Sequence, residues 1–221
     1  MMQAPDDDFI LTRTSVIALR DGTRVKIRPV VPTDKQRFLE GFARLSPASR
    51  YRRFLAPVDE LTPDMLRYFT EVDYRDHFAY VALLAERPAE PGIGVARYVR
   101  SDEDSRVAEA AVTVIDEYQG RGLGTVLLEA LGAVALENGI RRFRGIAMEG
   151  NTPIRDILTG VGAEVRHDSP GLVRLEIDLP RTDERLVGSP LYDVFRAVAR
   201  GDGPVFLPPQ ATEGMTRRTP Q

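Results

Sequence analysis

The sequence predicts an α/β (α+β) fold, a mixed sheet flanked by helices. Three observations predict it. Two strand-like runs flank Asp21-Gly22 near the start. Several capped helical segments follow. Later, a strand–helix–strand unit turns through three alternating glycines.

In chain order, residues 1–12 read as a disordered N-terminal tail. Thr14 to Leu19 and Thr23 to Arg28 form a hairpin, because Asp-Gly between two such runs supplies two turn residues that tolerate positive φ. Pro32-Thr33-Asp34 offers a cap to a helix from Lys35 to Leu45, with Phe38, Phe42 and Leu45 on its apolar side. Ser46-Pro47 leads into a helix ending at Phe54, and Thr62-Pro63-Asp64 opens another, with proline at the first helical position. The period then changes. His77 to Ala85, Ile93 to Val99 and Val107 to Ile115 read as strands. A long helix from Gly122 to Asn138 places Leu123, Leu127, Leu131 and Val134 on one face and stops at Asn138-Gly139. Phe143 to Met148 is a strand, Asn151 to Leu158 a short helix, and Glu164 to His167 and Leu172 to Leu179 the last strands. Residues 13–180 form one domain. Residues 181–221 are an extension with one short helix, ending at Arg200, and a disordered tail rich in Gly, Pro, Thr and Gln.

Composition bounds the function. The 221 residues contain no cysteine, which excludes disulfides, thiolate metal sites and a cysteine nucleophile. A net charge of -3 does not suit a nucleic-acid protein, which must neutralise many phosphates. The polar, acidic start does not resemble a signal peptide, and no apolar run reaches membrane-span length. The expectation is a soluble, cytoplasmic protein with no nucleic-acid or membrane partner.

The informative stretch runs from Ala108 through Gln119-Gly120-Arg121-Gly122-Leu123-Gly124-Thr125. An apolar strand enters a glycine-rich turn and leaves it as a long helix. Such a turn presents main-chain N–H groups with no intrahelical partner, at the positive end of the helix dipole, and so suits a phosphate or pyrophosphate. The Walker pattern fails for want of its lysine, and the dinucleotide pattern fails because its third glycine would fall on Thr125 or Leu127. What remains is Gln-x-x-Gly-x-Gly.

Here the chain resembles the GNAT superfamily of N-acetyltransferases, whose central motif is Gln or Arg, two residues, Gly, one residue, then Gly or Ala. Gln119, Gly122 and Gly124 match it, and Asn151 matches the start of the family's second motif. Val25 to Val30 and Ala43 to Phe54 look like the catalytic domains of bacterial protein lysine acetyltransferases. The resemblance implies a mixed, mostly antiparallel central sheet whose strands splay around acetyl-coenzyme A (acetyl-CoA). It implies that N–H groups from Gln119 to Thr125 hold the pyrophosphate. Val112 and Val114 would offer main-chain bonds to the pantetheine arm, and Asn151 would bond it from the other wall. Arg121 and Arg155 are read from charge and position as phosphate partners.

Transfer to an amine needs that amine neutral, and a lysine's pKa near 10.4 makes a base useful. Glu109, a carboxylate among Ala108, Ala110 and Ala111, is the leading candidate, and a glutamate at this strand position is the base in the subgroup it resembles. Asp116 and Glu117 are rivals. The tyrosine that many relatives place seven residues after the asparagine is Leu158 here, so no general acid is assigned. The expected mechanism is direct attack in a ternary complex, with an N–H of Val114 or a neighbour steadying the oxyanion. The acceptor is a protein lysine or a small amine. The alternative is a non-catalytic acyl-CoA-binding sensor or regulatory protein.

His77 and His167 read as structural histidines, and no metal is expected. Tyr51 with Arg50, Arg52 and Arg53 reads as a helix that packs its aromatics and solvates its arginines, with acceptor recognition as the other reading. Arg141, Arg142 and Arg144 read as a solvated strand end. The Leu191–Val198 stripe reads as a packing or homodimer contact.

Overall fold

The computed structural model describes residues 7–87, 89–152, 154, 163–179, 199–200 and 205–206. Among these residues nine strands form one sheet: β1 (Ser15–Ala18), β2 (Arg24–Pro29), β3 (His77–Leu84), β4 (Gly92–Arg100), β5 (Val107–Val114), β6 (Arg142–Met148), β7 (Glu164–Ser169), β8 (Leu172–Asp178) and β9 (Val205–Phe206). Their order is β7-β8-β6-β5-β4-β3-β2-β1-β9. The β5–β6 and β1–β9 pairs are parallel and the others antiparallel. The helices are α1 (Asp7–Thr12), α2 (Lys35–Ala43), α3 (Pro47–Phe54), α4 (Pro63–Thr70) and α5 (Leu123–Glu137). Among the described residues no helix is long and apolar enough to cross a membrane.

The predicted sheet and the helices expected before residue 139 are present, with instructive differences, while the short helix expected from Asn151 to Leu158 lies mostly outside the described residues. Residues 7–12 are helical rather than a loose tail. Asp7 and Asp8 sit in the first turn, where carboxylates complement the dipole, and the Phe9 ring meets Tyr74 edge-on at 5.1 Å. The β1–β2 connection spans five residues, 19–23, and of its Asp-Gly pair only Gly22 takes positive φ, at 83°. Leu19 N–H bonds Thr23 O, and Gly22 N–H bonds Leu19 O, the pattern of a type I turn closed by a left-handed residue. Asp34 does not cap α2. Its fully buried carboxylate instead takes the Arg28 guanidinium in a two-bond fork at 2.6 and 2.8 Å, and accepts from Val31 N–H at 2.9 Å. Val205 and Phe206, in the segment expected to be disordered, pair with β1. The rest of the expected C-terminal helix and tail, apart from Ala199 and Arg200, lies outside the described residues.

α3 and α4 begin as predicted, with Ser46 and Thr62 side chains accepting from Ser49 and Met65 N–H at 3.2 Å. α5 buries Leu123, Leu127, Leu131 and Val134 against the sheet. It ends in paired bonds from Gly139 to Leu136 and from Ile140 to Ala135, a Schellman motif. One α5 residue opposes this order. Among the described residues Glu129 Oε2 is buried with no hydrogen-bond partner, and burial pushes the carboxyl up to about 7. A group raised above its unfolded value contributes stability that is complete below that value and lost as pH rises through about 7. Glu129→Gln is therefore expected to raise stability at pH 8 by about 2 kcal/mol, roughly 5 °C in melting temperature, and to change little at pH 4.5. Equal shifts in melting at the two pH values would show that Glu129 does not titrate on unfolding.

The site depends on a break in the sheet. β5 and β6 pair only over Val107–Glu109 and Arg142–Arg144. Beyond that seam β5 continues along β4, and β6 along β8. Gly145 marks the divergence, where a Cβ would stand 3.1 Å from Ala110 O.

Candidate active site

β5 supplies one wall of the resulting cleft. Ile115 N–H bonds Ile93 O, and the register 114↔94, 113↔95, 112↔96 continues from it. In an antiparallel ladder only alternate residues bond the neighbouring strand. The main-chain groups of Thr113 and Ala111 therefore meet β4, whereas those of Val112 and Val114 point into the gap. Val114 O is taken by Gln119 Nε2 at 2.9 Å, which leaves Val114 its N–H.

The glycine turn follows. Gly120 and Gly122 adopt φ of 73° and 87°, open to glycine and strained for other residues. Gln119 N–H bonds Asp116 O at 3.3 Å, so the donor set begins one residue later than the sequence predicts. Among the described residues, the N–H groups of Gly120, Arg121, Gly122, Leu123, Gly124 and Thr125 meet no acceptor. The first α5 bond runs from Val126 N–H to Gly122 O. The Arg121 side chain, read from the sequence as a phosphate partner, is held here by protein groups. It pairs with Asp21, donates to Glu117 O at 2.7 Å and lies over the Tyr118 ring. That pairing ties the β1–β2 turn to the glycine turn. It also brings in a cation that the sequence analysis does not name: Arg20 Nε lies 4.0 Å from where a Cβ on Gly122 would stand. Nothing in the local sequence signals this approach, which spans about a hundred residues of chain.

Glu109 stands at the last paired position of the seam, facing Arg144 at 3.5 Å. Its side chain is 70% exposed, so solvent and an incoming amine can reach it. A cleft of about 780 Å³ brings together Glu109, Val112 and Asn151 with Arg53, Arg97 and Tyr68. The rival carboxylates lie elsewhere. Burial alone would raise Asp116, but bonds from Ser46 N–H and the Ser46 and Ser49 hydroxyls, at 2.8–2.9 Å, outweigh it and hold Asp116 below the usual carboxylate range. It pins α3 to the turn. Glu117 pairs with Arg44 at 2.9 Å. Arg155 and Leu158 lie outside the described residues.

His77 is structural, as expected. Burial first, then the Arg97 charge, pulls it down to about 4, and its ring meets Tyr68 at 4.9 Å. Arg97 has no acceptor to offer, so His77 Nε2 must accept from it and carry its own proton on Nδ1. Among the described residues no cluster of three or more His, Cys, Asp or Glu side chains could hold a metal ion. Arg142 pairs with Asp178, and Arg144 with Glu109 and Glu103. The helix around Tyr51 differs from its sequence reading, because Tyr51 is 43% exposed while Arg53 turns into the cleft.

Residues 24–164 match the family model described as an acetyltransferase (GNAT) domain. A protein named Acetyltransferase Pat from Mycolicibacterium smegmatis is 37% identical over 184 residues, covering 83% of this chain and 54% of its own length. The chain thus spans about half of that relative. An acetyltransferase of Pseudomonas aeruginosa is 37% identical over 147 residues, 66% of this chain and 78% of that protein. Among solved structures, the GNAT domain of S. lividans PAT is 31% identical with a TM-score of 0.70, covering 76% of this chain and 97% of that one.

Proposed function

Because the chain belongs to the GNAT acetyltransferase family, we propose that it transfers an acetyl group from acetyl-CoA to an amine, a protein lysine among the candidate acceptors. The observation that carries this reading is the row of unpartnered N–H groups over residues 120–125, at the end of a strand that has parted from its neighbour. Six main-chain donors at the start of a 15-residue helix fit a pyrophosphate. Asn151 and the main-chain groups of Val112 line the cleft and suit a chain of amides such as the pantetheine arm. When bound, acetyl-CoA supplies an activated acyl group with a good leaving thiolate.

The chain's own residues then have separable roles. The cleft aligns the two reactants and removes the entropic cost of their encounter at the moment of reaction. Glu109 accepts the proton that the amine must lose, directly or through one water. Arg144 sits beside it and orients the carboxylate. Val114 N–H faces the gap and is the donor for the oxygen that gathers negative charge.

Titration with acetyl-CoA, followed by release of free thiol in the presence of amine acceptors, tests the reading. Saturable binding and acceptor-dependent release are expected. Binding without release across a wide acceptor panel would favour the sensor alternative, and no binding would remove both.

A further inference from the structure

One face of the sheet carries an unusual charge. Arg97 lies in the middle of β4 and is 4% exposed. Its Nη1 donates to His77 Nε2 and its Nη2 to Phe69 O, each at 3.0 Å, and its guanidinium lies 4.6 Å from the Phe69 ring centroid. None of these partners is an anion. Arg53 at the end of α3 stands close enough for its charge to act on Arg97. Burial first, and then Arg53, pulls Arg97 down to about 9, and burial lowers Arg53 as well. Among the described residues neither arginine meets a carboxylate. Leaving a desolvated charge without a counter-ion is strongly unfavourable, and two near each other are more so. Arginine is almost never fully buried unless paired, and even the half-buried Arg28 is paired with Asp34.

Both arginines line a small cavity of about 80 Å³, walled by Phe38, Phe54 and Phe69. The cavity also borders Thr113, whose Oγ1 is buried and has no hydrogen-bond partner among the described residues. Arg53, Phe54, Phe69 and Arg97 line the large cleft too. Register fixes the relation to Glu109. Val99 pairs with Glu109 and Arg97 with Ala111, so Arg97 and Glu109 project from one face as diagonal neighbours. Diagonal positions are about 7–8 Å apart. The face is the one away from α5, whose Leu127 packs instead against Gly94.

Resting on the transferase reading above, we propose that Arg97, Arg53 and the Thr113 hydroxyl form a carboxylate-binding subsite beside Glu109, occupied by a carboxylate on one of the two reactants. The planar guanidinium forks match a carboxylate, and the phenylalanine walls suit a short apolar stem. A carboxylate on the acceptor would make the acceptor an amino acid or an amine flanked by an acidic group. On the acyl donor it would mark a dicarboxylic acyl-CoA.

Calorimetric titration of the full chain with N-acetyl-leucine and N-acetyl-leucinamide, ligands that differ in head-group charge, tests the acceptor arm. Titration with succinyl-CoA and acetyl-CoA tests the donor arm. In one arm the carboxylate-bearing ligand is expected to bind about tenfold more tightly, the worth of one hydrogen bond to a charged group. Arg53→Met, which keeps the apolar stem, is expected to erase that preference while acetyl-CoA affinity stays unchanged. A preference confined to succinyl-CoA assigns the carboxylate to the acyl chain. Equal affinities in both arms of the wild type overturn the subsite without recourse to any variant, as does a preference that survives Arg53→Met. Loss of acetyl-CoA affinity in the wild type itself would sink the transferase reading and leave the acid–amide comparison legible.

Discussion

Gly124→Glu is expected to lower acetyl-CoA affinity by roughly 100-fold or more, while the melting temperature stays at or slightly above that of the wild type. Gly124 is the second residue of α5 and does not take positive φ, so a side chain there imposes no backbone strain. A glutamate in the first turn of a helix even favours folding by about 0.3–1 kcal/mol. The same carboxylate would compete for the N–H groups proposed to hold the pyrophosphate, and would repel it. Gly122→Glu is a poorer test, because φ of 87° makes any side chain there strained. Gly124→Ala adds bulk without charge and is expected to lose much less affinity. A Gly124→Glu protein that binds acetyl-CoA normally would show that the turn is only a chain reversal.

Glu109→Gln is expected to reduce turnover by about 100- to 10,000-fold with little change in acetyl-CoA affinity, the range typical for loss of a general base. The substitution keeps the shape facing Arg144 and removes the proton acceptor. What activity remains would depend on amine already deprotonated in solution, and so should climb tenfold per pH unit well below the amine's pKa near 10.4. Wild-type turnover should climb less steeply over the same interval. Parallel rate–pH profiles for the two proteins would dismiss Glu109 as the base.

The turn and the helix after it were legible because local chemistry dictates them. Glycine spacing, the apolar face of Leu123, Leu127 and Leu131, and the Asn138-Gly139 stop all act within a few residues. The gap between β5 and β6 was legible only through family resemblance. No pattern within either strand states that pairing ends at Glu109 and Arg144, since strand partners are chosen by the whole sheet. Arg121 illustrates the same limit. Its position in the motif suggested a phosphate, but the partner it found, Asp21, lies on a distant turn. Arg97 did leave a trace, a charge inside the small apolar run Ile93 to Val99. That trace was as informative as Glu109 in its own run of alanines, yet only packing revealed that Arg97 lacks an acid. Asp34 shows a capping signal overruled, because the half-buried Arg28 offered its carboxylate more than the helix end did.

The six idle donors between Gly120 and Thr125 belong to the peptide chain itself. The side chain at Thr125 can therefore drift among helix-forming types without touching the proposed grip, whereas Leu123 is held by the core beneath it. Selection on this stretch falls on torsion angles at two glycines and on room at a third, so inherited damage here would first distort a curve in the chain and only afterwards alter its charge.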